Sequence, residues 1–142
     1  KVVYRSVGNY SNKAFDTWLM ALKNKDVFTV FVGAPSKQQQ VNISLHEAYH
    51  KMLSVGENVF LGGVTIPERH EAKKDEHLRI VQKQGHGCTF FVSQCVYSTN
   101  HAKNFLADYF YHCKETNTPM SPIIFTLTPC GSEKTLEFML EQ

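Results

Sequence analysis

Residues Val27 to Val32 read Val-Phe-Thr-Val-Phe-Val, an apolar run without the polar alternation of a half-exposed strand. Continuous runs of this kind belong to strands buried on both faces, as in parallel sheets wrapped by helices. Val59 to Val64, Cys88 to Val96 and Pro122 to Leu127 have the same character, and Lys1 to Val7 adds a fifth strand candidate through Val2, Val3 and Tyr4.

The segments between these runs carry helical spacing. Ser11 is placed to cap a helix whose Ala14, Phe15, Trp18, Leu19 and Leu22 fall three and four residues apart. After Gly33, Pro35 and the polar loop Ser36 to Gln40, residues Leu45, Ala48, Tyr49, Met52 and Leu53 mark a second helix that Gly56 ends. Glu68 to Gln84 reads as one densely charged helix with little to bury, expected to lie mostly solvated at the periphery. Asn100 to Lys114 is a helix rich in Phe and Tyr, and a last helix spans Ser132 to Leu140 beyond Pro129. Strands alternating with helices over short connections predict an α/β fold, three-layered, with a flavodoxin-like, doubly wound and mainly parallel five-stranded sheet. Val27 to Val32 is its expected central strand.

At 142 residues, with 42% hydrophobic content, the chain is expected to form a single domain over 1–142 with a sizeable core. It starts at Lys1 and runs straight into strand-like residues, which suggests a piece of a longer protein. No apolar run of about 18 residues occurs, so no membrane span is expected. Cys88, Cys95, Cys113 and Cys130 form no CxxC pair and sit in or beside apolar stretches, which suits free thiols in an intracellular compartment, cytoplasmic or nuclear. A formal charge of +2 falls short of a dedicated nucleic-acid surface, and leaves a nucleic-acid-associated module as a lesser alternative.

Three constellations could carry chemistry. His46-Glu47-Ala48-Tyr49-His50 is an HExxH string, in which two imidazoles one helical turn apart can grip zinc while the Glu activates water. Ser44 precedes Glu47 by three residues, so the same Glu also suits a helix-capping box; His70 and Glu71 are candidate third ligands. Gly33 follows the expected central strand, where a doubly wound sheet binds nucleotides, but neither GxGxxG nor GxxxxGK[ST] is present. The third is the loop after the strand Val59 to Val64, with Val64, Ile66, Pro67, Glu68, Arg69 and His70 as candidate contact residues, because loops beside a rigid sheet often carry binding.

From Phe28 to Pro129 the order of elements resembles a Toll/interleukin-1 receptor (TIR) domain. Phe28-Thr29-Val30-Phe31-Val32 is similar to the first TIR strand, with Thr29 at the usual acidic position. Ile66-Pro67 falls where the family's signalling loop carries its proline, and Phe91-Val92-Ser93 is similar to a later strand, while His101-Ala102 replaces the family's Trp-Cys. Phe105 stands where NAD-cleaving members carry a catalytic Glu, so the resemblance implies protein association and not NAD hydrolysis. The expectation from sequence is therefore a non-enzymatic intracellular scaffold or adaptor domain without cofactor. It binds protein partners, self-association included, through Val64 to His70. The alternatives are a zinc-dependent hydrolase using His46, Glu47 and His50, or a nucleotide-handling enzyme near Gly33.

Overall fold

A computed structural model describes residues 1–23, 25–33, 41–55, 59–128 and 130–140. The expected loop Ser36 to Gln40, and Pro35, Gly56 and Pro129, lie outside the described residues.

The elements run β1 (Val2–Ser6), a 3-10 turn (Val7–Asn9), α1 (Asn12–Leu22), β2 (Val27–Val32), α2 (Leu45–Leu53) and β3 (Val59–Thr65). There follow α3 (Pro67–Lys73), α4 (Glu76–Gly85), β4 (Phe90–Val96), α5 (Thr99–Thr116), β5 (Ile123–Leu127) and α6 (Glu133–Leu140). All four strand pairings are parallel. The α/β class and the five-stranded parallel sheet are thus as the sequence predicts.

The strand order is β1-β2-β3-β4-β5, in sequence, without the reversal that defines a flavodoxin-like, doubly wound sheet. This corrects the expected winding, and it makes β3, not β2, the central strand. The physical reason lies in the crossovers. Right-handed β-α-β connections repeated in one direction deliver their helices to the same face. Accordingly, Phe15 and Leu19 of α1, Tyr49 and Met52 of α2, Ile80 of α4, and Phe105 and Tyr109 of α5 share one cluster with Phe31, Leu61 and Phe91 of the strands. On the opposite face, among the described residues, a small cluster of Val30, Phe90 and Val92 is buried. Tyr4, Phe28, Phe60 and Ile124 on that face are exposed.

Local chemistry explains the element ends. Ser11 accepts a hydrogen bond from the Ala14 amide at 3.3 Å, and Ser44 and Glu47 form a complete capping box at the start of α2. Gly62 pairs with Phe90 across the sheet, and a Cβ there would sit 2.5 Å from the Phe90 ring, so glycine lets the ring lie where it does. The expected single helix from Glu68 to Gln84 is two helices. Lys74 adopts a left-handed conformation with φ 51°, and its amide bonds the His70 carbonyl at 2.8 Å, which ends α3 and turns the chain into α4. Nor is this region mostly solvated: His70, Glu76 and Ile80 are fully buried. The four cysteines are free, with Cys88 and Cys113 buried and Cys130 exposed. No helix among the described residues is long and apolar enough to cross a membrane.

Candidate functional site

Parallel strands aim their carboxyl ends at one edge of the sheet, and ligands of such folds gather there. Here that edge opens into a cavity of about 620 Å³, whose floor comes from Ser6 at the end of β1, Val32 and Gly33 after β2, Val64 and Ile66 around the end of β3, and Gln94 in β4. Phe31, Leu45 and Tyr49 add an apolar wall. The opposite wall belongs to α3 and α4 and is basic: Arg69, Arg79 and Lys83, with Gln82 beside them and His46 and His86 at the rim. The volume lies in the range of small-molecule sites, and an apolar wall facing a few convergent polar groups is their usual construction.

Each cation is held in place. Arg69 forms an ion pair with Glu76, whose side chain is completely buried, while Arg69 remains 26% exposed and reaches the cavity. The Glu76 carboxylate also accepts from Thr65 Oγ1 at 3.1 Å and from the Ile66 amide at 2.9 Å, so it fixes the end of β3 and the arginine together. Arg79 is bound by Asp75 through Nε at 3.2 Å and a second nitrogen at 3.1 Å, one helical turn away. Lys83 donates to the Val64 carbonyl at 2.5 Å. Burial pushes its ammonium pKa below the ordinary lysine value, against the opposing pull of Glu76. Beneath the apolar wall, burial raises the Tyr49 phenol and pushes the Cys88 thiol up to about 11.

The residues singled out from sequence divide in two. Val64, Ile66 and Arg69 line the cavity, as do Gly33 and His46. Pro67 and His70 are buried, and Glu68 is turned inward, where its carboxylate accepts from the amides of Tyr97 at 2.7 Å and Ser98 at 2.9 Å and pairs with His101. Phe105 is fully buried against His70 and Tyr109. In the HExxH string, Glu47 caps its own helix, accepting from the Ser44 amide and hydroxyl at 2.7 Å each, which holds its carboxyl below the usual range. The His46 ring lies 4.6 Å from His50 and 4.8 Å from His86. Among the described residues, the set whose ligand atoms converge as in a metal site is a different one, His70, His77 and Asp108.

Sequence reasoning missed Arg79, Gln82, Lys83, His86 and Gln94. Gln94 carried a readable signal, a polar amide beside Ser93 in the mainly apolar stretch Phe90 to Val96. The α4 residues looked like one face of a solvated helix.

No family model matches the chain, and no curated protein matches it. Among solved structures it is similar to an uncharacterized protein from Clostridium thermocellum that binds two copies of 5-methyl-5,6,7,8-tetrahydrofolic acid, with 49% sequence identity and a TM-score of 0.88. The match covers 99% of this chain and 48% of that one, so the chain spans about half the length of the neighbour. This overturns the expected scaffold or adaptor role and its protein partners, because the neighbour is a small-molecule binder. The sequence misled on this point because apolar and charged residues beside a loop look alike whether they face a protein or line a cavity.

Proposed function

We propose that this chain binds a reduced folate of the 5-methyltetrahydrofolate class at the carboxyl edge of its sheet. The observation that carries the proposal is the 49% identity, over 99% of the chain, with a protein that binds that ligand. The cavity chemistry supports it. A reduced folate joins a bicyclic ring rich in donors and acceptors to an apolar aromatic linker and an anionic glutamate tail. Gln82 and Gln94 offer amides to the ring, Phe31, Tyr49 and Ile66 an apolar wall to the linker, and Arg69, Arg79 and Lys83 cations to the carboxylates. The four free thiols suit an intracellular setting for this role.

Calorimetric titration of the purified chain with 5-methyltetrahydrofolate tests the proposal. Saturable binding is expected, weakened at least about tenfold by Lys83→Ala or Arg79→Ala, as loss of a hydrogen bond to a charged group of about 1.5–3 kcal/mol implies. No saturable heat at millimolar ligand, or equal affinity in both variants, would remove this site from consideration.

A further inference from the structure

On the side of the molecule where α3, α4 and α5 meet, three ligand-bearing side chains converge that take no part in lining the cavity. His70 of α3 is fully buried, and its Nε2 lies 2.9 Å from Asp108 Oδ2 of α5. The left-handed turn at Lys74 brings α4 back beside α3, which sets the His77 ring 5.3 Å from that of His70 and nearly perpendicular to it, at 81°. One ligand atom from each of His70, His77 and Asp108 lies within 4.8 Å of the others. His112, one turn along α5 from Asp108, has its ring 5.6 Å from His77.

The hydrogen bonding of this cluster is incomplete. Nδ1 of His70 and Nδ1 of His77 are both buried without a partner among the described residues. A buried polar nitrogen without a partner is costly, and natural structures rarely tolerate such groups. The His70–Asp108 contact accounts for Nε2 alone.

We infer that His70, His77 and Asp108 form a binding site for a divalent transition-metal ion of the zinc type, which staples α3, α4 and α5. Two imidazoles and one carboxylate suit zinc and its neighbours and not calcium or magnesium, which prefer all-oxygen sets. Zinc bonds of about 2.0–2.2 Å in a tetrahedron put ligand atoms roughly 3.4 Å apart. His77 is half-buried and Asp108 exposed, so both side chains have room to adjust toward that spacing. His112 stands next to the site for the fourth position. The histidines of the HExxH string belong to another part of the fold, and Glu47 there is committed to its cap.

The test is titration of the chelator-treated chain with ZnCl2, and separately with CoCl2, whose tetrahedral complexes absorb visible light. One equivalent is expected to bind and to raise Tm, with the Co2+ absorption of a nitrogen–oxygen site. His77→Ala and Asp108→Asn, both at partly accessible positions, are expected to weaken binding at least tenfold while retaining the native circular dichroism spectrum. His46→Ala and His50→Ala are expected to leave it unchanged. Non-stoichiometric binding, or stoichiometric binding lost in the His46 and His50 variants but retained in His77→Ala, overturns the assignment. The readout needs no folate, so it stands or falls separately from the cavity.

Discussion

Arg69 and Glu76 form an ion pair in which the carboxylate is sealed from solvent and the guanidinium faces the cavity. One buried acid therefore does two things: it ties α4 to the end of β3 through Thr65 and the Ile66 amide, and it holds a cation at the cavity. Removing one partner from a buried pair leaves the other uncompensated, at about 3–5 kcal/mol. Glu76→Ala is expected to lower the free energy of unfolding by that amount, read as a lower urea midpoint, and to abolish folate binding. Arg69→Lys is expected to fold, yet to bind more weakly, because an ammonium cannot reproduce the grip of Arg69 Nε and a second guanidinium nitrogen on Glu76. Urea denaturation with parallel calorimetry checks both.

Gly62→Ala tests the close approach of β3 and β4. The new Cβ would meet the Phe90 ring at 2.5–2.9 Å, so the ring must move, at a cost of about 1–3 kcal/mol. The double variant Gly62→Ala/Phe90→Leu is expected to recover part of that loss in thermal denaturation. Simple additivity of the two single changes would show that the contact does not govern the site.

Acid stability should carry the signature of Glu68. Burial raises its pKa, but the Ser98 and Tyr97 amides and His101 outweigh burial and hold it below the ordinary value of 4.5. A carboxylate depressed in the folded state stabilises the protein above its unfolded pKa, and that contribution is lost as pH falls below about 4.5 through the folded value. Glu68→Gln is expected to lower stability at pH 7 and to flatten the acid limb below pH 4.5, read by denaturation at a series of pH values.

Thiol labelling should be strongly ordered. Cys130 is exposed, whereas Cys88 is buried, with its pKa pushed up to about 11 by burial, and so is almost wholly protonated at pH 8. Iodoacetamide at pH 8 is expected to alkylate Cys130 first and to reach Cys88 and Cys113 only after unfolding, as followed by peptide mass spectrometry. Early modification of Cys88 in the folded chain would contradict the packing around it.

Tyr109 of α5 ties α4 to the segment before β5 through one hydroxyl, which donates to Gln84 Oε1 at 3.0 Å and accepts from the Ser121 amide at 2.8 Å. Tyr109→Phe keeps the ring in the core and leaves both partners unsatisfied, so a loss of about 1–3 kcal/mol is expected in chemical denaturation.

The elements were legible in the sequence to within a few residues because their signals are local. The spacing of Phe15, Leu19 and Leu22, the Ser44–Glu47 capping box and the unbroken run Val27 to Val32 all act within a turn or a strand. The break at Lys74 was not legible, since neither glycine nor proline marks it and the conformation there is dictated by burying His70 on one side and Glu76 on the other. The basic wall was missed for a related reason. Arg79 and Lys83 look solvated along α4 until β3 is laid beside them.

By itself, then, the sequence determined that strands and helices alternate, that the strands are parallel, and where nearly every element begins and ends. The tertiary structure decided that the strands follow one another in order, so that α1, α2, α4 and α5 bury into one cluster while Phe28 and Phe60 remain exposed. It also decided which polar residues converge on the carboxyl edge. Element formation depends on neighbours a few residues apart, whereas strand order and site assembly depend on contacts between segments far apart in the chain, which no local pattern encodes.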